Sequence, residues 1–336
     1  MRDGIYRHAA LEFNKTESRA RPSIRLEDPM RMPSQSFFLP GDDCDPGYLN
    51  IQRVPFVRPA KRYVERLWRI YAPYADRHFR EDARKHFLQR YWEMYLAVAL
   101  MDAGFTPVKP ADKGPEFFIE IDSRRVWVEA IAPSGGQGPD KVSELPLEEA
   151  FKVPMEQVLL RYTNALAEKH AKYRRDVEKG IVGTNDGYVL AINCREIPHA
   201  RFGSVIPYVV QAFLPFGNAT VTFDVRTGKI VDKYFERRES VSKLNAVKIP
   251  TTAFLDPAYA GISAIIHSAV DASNSPVVLG EDFFVLHNPI ASYPIGLGTF
   301  SRWRQYVFED DRIRTIEPSP LAKGTCRKRR AVRQER

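Results

Sequence analysis

The sequence predicts an α/β fold with a mixed sheet, whose central part runs helix, three strands, helix, strand over roughly residues 80–195. Three observations predict it. Residues 81–103 form a long helical run that ends at Gly104. Residues 105–131 hold three short extended segments, two of them joined by a plausible turn. Residues 155–179 return to helical spacing, close at Gly180, and lead into the apolar run 188–194, which reads as a buried strand.

The elements follow in order. Residues 1–59 are rich in Pro, Arg, Asp and Ser without a sustained period, so they read as an irregular arm from which Phe37, Phe38 and Leu39 can pack on the body. Tyr63, Leu67 and Ile70 recur at helical spacing until Pro73 breaks the helix. The extended segments are 105–108, 116–121 and 125–131, with Asp122, Ser123 and Arg124 as the turn between the last two. A glycine-containing loop over 133–146 precedes the second core helix. In the last third, 219–225 and 229–235 flank Arg226-Thr227-Gly228 as a hairpin, and 262–269 and 283–287 read as strands. The organisation expected is an arm (1–59), a helical lead-in and core (60–195), a β-rich extension that widens the sheet or sits on it (196–320), and a basic disordered tail (321–336).

Composition narrows the function classes. The 44% hydrophobic content supports a substantial core, and no apolar run is long enough to span a membrane. The N-terminus has no secretory pattern. Cys44, Cys194 and Cys326 are odd in number and dispersed, which argues against a disulfide framework or a thiolate zinc site and fits a reducing cytoplasm. The net charge of +8 comes from the ends: residues 323–336 carry seven Lys/Arg and one Glu, and residues 1–35 carry seven Lys/Arg and five Asp/Glu. The tail can add affinity for nucleic acid through phosphate contacts, or serve only as a solubilising end.

Glu93 is the only charge in Tyr91-Trp-Glu-Met-Tyr-Leu-Ala-Val-Ala-Leu100, a segment apolar enough to be buried nearly all round. A buried carboxylate needs a partner or a metal. Glu116 opens one arm of the central hairpin and Glu129 lies near the end of the other, so antiparallel pairing brings them to one edge. Two carboxylates held together repel unless a cation sits between them, and oxygen ligands of this kind suit Mg²⁺ or Mn²⁺. On the second helix, Leu159, Tyr162, Leu166, Tyr173 and Val177 make an apolar stripe, and Lys169 falls within it. A lysine there is unusual unless its tip reaches an anion, the alternative being snorkelling to the edge of the stripe. Arg161 and Lys172 flank the stripe as candidate phosphate contacts. Gln137 and Lys141 are further candidates on the loop, which matches no phosphate-loop motif. His267 and His287 read as core histidines, and Trp303, Tyr306 and Phe308 as packing residues.

This segment resembles the PD-(D/E)XK, or restriction-endonuclease-like, nuclease superfamily. The resemblance rests on Glu93 in the first helix, Pro115-Glu116 before one strand and Glu129-Ala130-Ile131 on the next, in an αβββαβ order covering about 115 of 336 residues. It implies a Mg²⁺- or Mn²⁺-dependent phosphodiesterase in which Glu116, Glu129 and the backbone carbonyl of Ala130 hold the metal, with Glu93, Glu116, Glu129 and Lys169 as the catalytic set. The implied partner is nucleic acid, DNA in the first instance, and a homodimer is compatible with it. Two departures stand out. Glu116 replaces the usual Asp, and Ile131 replaces the usual Lys. Lys169 is the expected substitute for that missing ammonium. The competing reading is a catalytically inactive nucleic-acid-binding or protein-interaction module on the same scaffold.

Overall fold

The computed structural model describes residues 35–110, 114–146, 152–201 and 205–319. The basic tail from 321 onward, and residues 1–34 of the expected arm, lie outside the described residues. The helices are α1 (Pro46–Arg53), α2 (Arg58–Tyr71), α3 (Phe79–Lys85), α4 (Phe87–Asp102), α5 (Met155–Glu178) and α6 (Tyr208–Phe213). The strands are β1 (Phe117–Ile121), β2 (Arg124–Ile131), β3 (Gly187–Asn193), β4 (Phe216–Phe223), β5 (Ile230–Arg237), β6 (Ser240–Ser242), β7 (Lys248–Pro250), β8 (Ala264–Ser268), β9 (Phe284–His287), β10 (Arg304–Glu309) and β11 (Arg312–Ile316). No helix among the described residues is long and apolar enough to cross a membrane.

The fold is α/β with a mixed seven-stranded sheet in the order β1-β2-β3-β8-β9-β10-β11. β1 and β2 are antiparallel, joined by a two-residue turn in which Asp122 and Ser123 both take positive φ (50° and 62°), the geometry of a tight hairpin turn. α5 crosses over to put β3 parallel to β2, and β8 then lies parallel to β3. The sheet is covered on both faces. Val126, Val128, Ala130, Val189, Ala191 and Ile266 face a core shared with α1, α2 and α4. Trp127, Ile131, Tyr188, Leu190, Ile192 and Ile265 face a core shared with α5 and α6. This alternation sends the side chain of Glu129 to the α5 side, between Trp127 and Ile131.

Several expectations are corrected. The expected helix 81–103 is two helices, α3 and α4, with the break at His86, whose φ/ψ of −134°/60° is not helical. The first of the three core strands shrinks to one antiparallel bridge, Val108 with Phe118, since Pro107 and Pro110 each lack a backbone donor for a ladder. Residues 35–59 are not an irregular arm. α1 is capped by Asp45, whose carboxylate accepts from Gly47 and Tyr48 N–H, and Phe37 and Phe38 are buried against Tyr48 and Phe87. The β-rich extension divides: β8 to β11 widen the core sheet, while β4–β5 and β6–β7 form separate two-stranded sheets.

A candidate active site at the notch beside β2

The site is built where β1 stops short. Phe117 pairs with Val128, so residues 129–131 of β2 have no partner on the β1 side. Continuing the register by one step sets Glu116, just before β1, across from Glu129, as antiparallel geometry requires. Gln89 of α4 fills part of the notch. Its Nε2 donates to the Ala130 carbonyl at 3.2 Å and its Oε1 accepts from Ala132 N–H at 2.8 Å. Glu93 lies four residues further along α4, on the same helix face.

Glu129 is fully buried, and both of its oxygens are held by α5. Lys169 Nζ donates to Oε1 at 2.8 Å, and Lys172 Nζ donates to Oε2 at 2.6 Å. The three-residue spacing places both lysines on one helix face. Lys172 also donates to the Gly114 carbonyl at 2.9 Å. Its ammonium is therefore turned into the cluster, a different position from the phosphate-contacting edge expected of it. Glu93 is fully buried too, and accepts from Tyr71 Oη at 2.5 Å, Arg90 Nη1 at 2.7 Å and Lys109 Nζ at 3.0 Å. Arg90 also bonds Asp82, and Lys109 pairs with Asp76, so the cations that hold Glu93 are themselves braced by outer acids.

Glu116 sits between these two ion-paired acids. Its carboxyl is pushed up to about 8 by burial first, then by the charges of Glu93 and Glu129, with Lys172 and Arg90 opposing. The sign of the linkage follows. The unfolded chain releases this proton near its ordinary value of 4.5, whereas the folded protein keeps it until about 8. The contribution to stability is present below 4.5 and is lost as pH rises toward 8, by on the order of a few kcal/mol. In metal-free buffer, Glu116→Gln should flatten the fall in stability between pH 5 and 8, measured by urea denaturation at several pH values. An unchanged pH slope would show that the three acids do not share one electrostatic site.

The remaining expected residues lie elsewhere. Arg161 packs on the loop, where a Cβ added to Gly136 would come within 1.9 Å of its Nη1, and it is eight residues, about 12 Å of helix, from Lys169. Gln137 is exposed on that loop, and Lys141 pairs with Glu144 at 3.5 Å. His267 and His287 are core histidines bonded to Tyr162 Oη and Gln305 Oε1. Trp303 and Tyr306 are buried, as expected of packing residues. Tyr71, Gln89, Arg90 and Lys109 are site residues the sequence reading missed. Only Gln89 and Arg90 carried a usable signal, as helix neighbours four and three residues before Glu93.

Among the described residues, no group of three or more His, Cys, Asp or Glu side chains is gathered closely enough to hold a metal by itself. Both oxygens of Glu129 are held by lysines, Lys169 and Lys172. Comparison of the chain with models of protein families, with curated proteins and with solved structures gives no match. What the fold and site define directly is an α/β protein whose hairpin ends beside two buried, cation-braced carboxylates, Glu93 and Glu129, with Glu116 facing Glu129 by register.

Proposed function

We propose that this protein is a metal-dependent phosphodiesterase acting on nucleic acid, with a restriction-endonuclease-like core. The observation that carries the reading is the 2.8 Å contact of Lys169 Nζ with buried Glu129. The sequence lacks a lysine at 131, and α5 delivers an ammonium to the same acid. The order bridge, β1, β2, α5, β3, with β3 parallel to β2, also supports it. Glu116 and Glu129 fit a divalent cation by their chemistry. They are hard oxygen donors at facing register positions, and the proton that Glu116 retains marks a place where added positive charge would be favourable. The Ala130 carbonyl lies beside them with one lone pair engaged by Gln89. Bound there, Mg²⁺ or Mn²⁺ would supply charge neutralisation at the phosphate and a more acidic water. Lys169, held at 2.8 Å from Glu129, is the group placed to stabilise negative charge that develops on phosphate oxygens.

The position of Lys172 also supports a second reading. Bonded to both Glu129 and the Gly114 carbonyl, its amine fills the notch, as suits a binding module that has given up metal chemistry. Calorimetric titration with Mn²⁺ separates the two. The nuclease reading expects one site, abolished in Glu129→Ala, with proton release that grows as pH falls below 8 because Glu116 must ionise. Binding that is absent, or unchanged in Glu129→Ala, favours the metal-free module.

A further inference from the structure

The β4–β5 ribbon stands apart from the sheet. All eight residues of β5 are exposed, and β4 is buried only at Phe216 and Gly217, where Phe216 packs on Phe308. A two-stranded ribbon is marginally stable alone in water. Its two faces differ sharply. Residues facing each other across an antiparallel pair lie on the same face. Ala219 with Phe235, Val221 with Lys233 and Phe223 with Ile230 therefore share one face. Val231, at the bulge, alternates onto it with Lys233. The other face carries Thr220 with Tyr234 and Thr222 with Asp232. The ribbon is thus amphipathic, yet its apolar face is turned to water: Phe223 is 56% exposed, Val231 66%, and Val225 at the turn 100%.

We infer that this apolar face is a self-association surface, covered by the same face of a second copy of the chain. Charge argues against a phosphate backbone as the occupant. Between 219 and 235 the ribbon carries Arg226, Lys229 and Lys233 against Asp224 and Asp232, so it is nearly balanced. Arg237 is paired with Glu239, and Arg238 is turned into the body against Gln211 and the Phe216 carbonyl. Size argues for a copy. With roughly 150–250 Å² for a large side chain, the exposed parts of Val221, Phe223, Val225, Ile230, Val231 and Phe235 offer about 500 Å² per chain. Two such faces together reach the ~1,000 Å² that a specific interface needs. An isologous contact meets an apolar face with one of equal area; Lys233 can extend its stem to the rim, and Arg237 at the base of that face is already paired with Glu239.

Sedimentation equilibrium of the full chain tests this, with wild type compared with the Phe223→Asp/Val231→Asp variant. Wild type should show a concentration-dependent monomer–dimer equilibrium, and the variant should weaken it at least ~10-fold, since two apolar contacts become buried charges. Both residues are exposed, so the fold should survive, as circular dichroism would verify. Hydrogen exchange on wild type gives an independent reading: amides of 230–236 should gain protection as protein concentration rises. A wild-type monomer at all concentrations, a dimer unaffected by the variant, or ribbon protection that needs added duplex DNA and not added protein would each overturn the inference.

Discussion

Lys169→Met should leave the protein folded and lower single-turnover phosphodiester cleavage by about 10²–10⁴-fold, the range for one charge-stabilising or acid–base group. The substitution keeps most of the apolar stem that α5 packs beside Leu166 and Tyr173, so the helix loses a charge and little volume. Glu129 keeps Lys172 at 2.6 Å and is not left as an unpaired buried carboxylate. The defect should therefore fall on the rate at saturating substrate, with substrate affinity little changed. Lys172→Met provides the contrast. If Lys172 only fills the notch, its loss should ease Mn²⁺ binding and leave the cleavage rate within a few-fold of wild type. Full activity in Lys169→Met would remove the lysine from the chemistry. The reversed pattern, with Lys172→Met inactive, would exchange the two roles.

Glu93→Ala should be the most destabilising change in the site, by about 3–5 kcal/mol, the cost of breaking a buried ion pair from one side. Its carboxylate is fully enclosed and takes hydrogen bonds from Tyr71, Arg90 and Lys109, each from a different segment of the chain. Removing it leaves those three donors facing a cavity, although Arg90 and Lys109 keep Asp82 and Asp76. Glu93→Gln retains the shape and one acceptor oxygen, so it should cost clearly less. Urea denaturation of both variants checks this. Equal, small losses would show that the network contributes little to the fold. If Glu93→Gln proves stable but inactive, the carboxylate's charge is needed at the site beyond its part in holding α2 and α4 together.

The order of the core elements was legible because each carries its own period. α4 is apolar almost all round, β1 alternates, and β2 from Val126 onward and β3 throughout are buried, as suits strands covered on both faces. The facing register positions of Glu116 and Glu129 were legible from the hairpin alone, since a tight turn fixes register. Lys169 was legible because one charge on an apolar stripe needs a partner. The direction of Lys172 was not, because a flexible four-carbon stem at the border of the stripe can turn either way, and the Gly114 carbonyl that draws it inward is distant in sequence. Lys109 and Tyr71 come to Glu93 from segments whose placement depends on tertiary packing. β10 and β11 were missed because their turn is Asp310-Asp311, with both φ positive and no glycine to mark it. α6 was missed because Tyr-Val-Val-Gln-Ala-Phe is short and fully buried, so it carries no amphipathic signal and contains two β-branched residues.

The most direct test of the account is single-turnover hydrolysis of end-labelled DNA and RNA, single- and double-stranded, by the full chain with Mg²⁺, with Mn²⁺ and with chelator. Phosphodiesterase action at this notch predicts cleavage that needs the divalent cation and is lost in Glu129→Ala. The absence of cleavage with either metal on every substrate, in protein shown to be folded, would contradict it and leave the notch as a metal-free binding or structural feature.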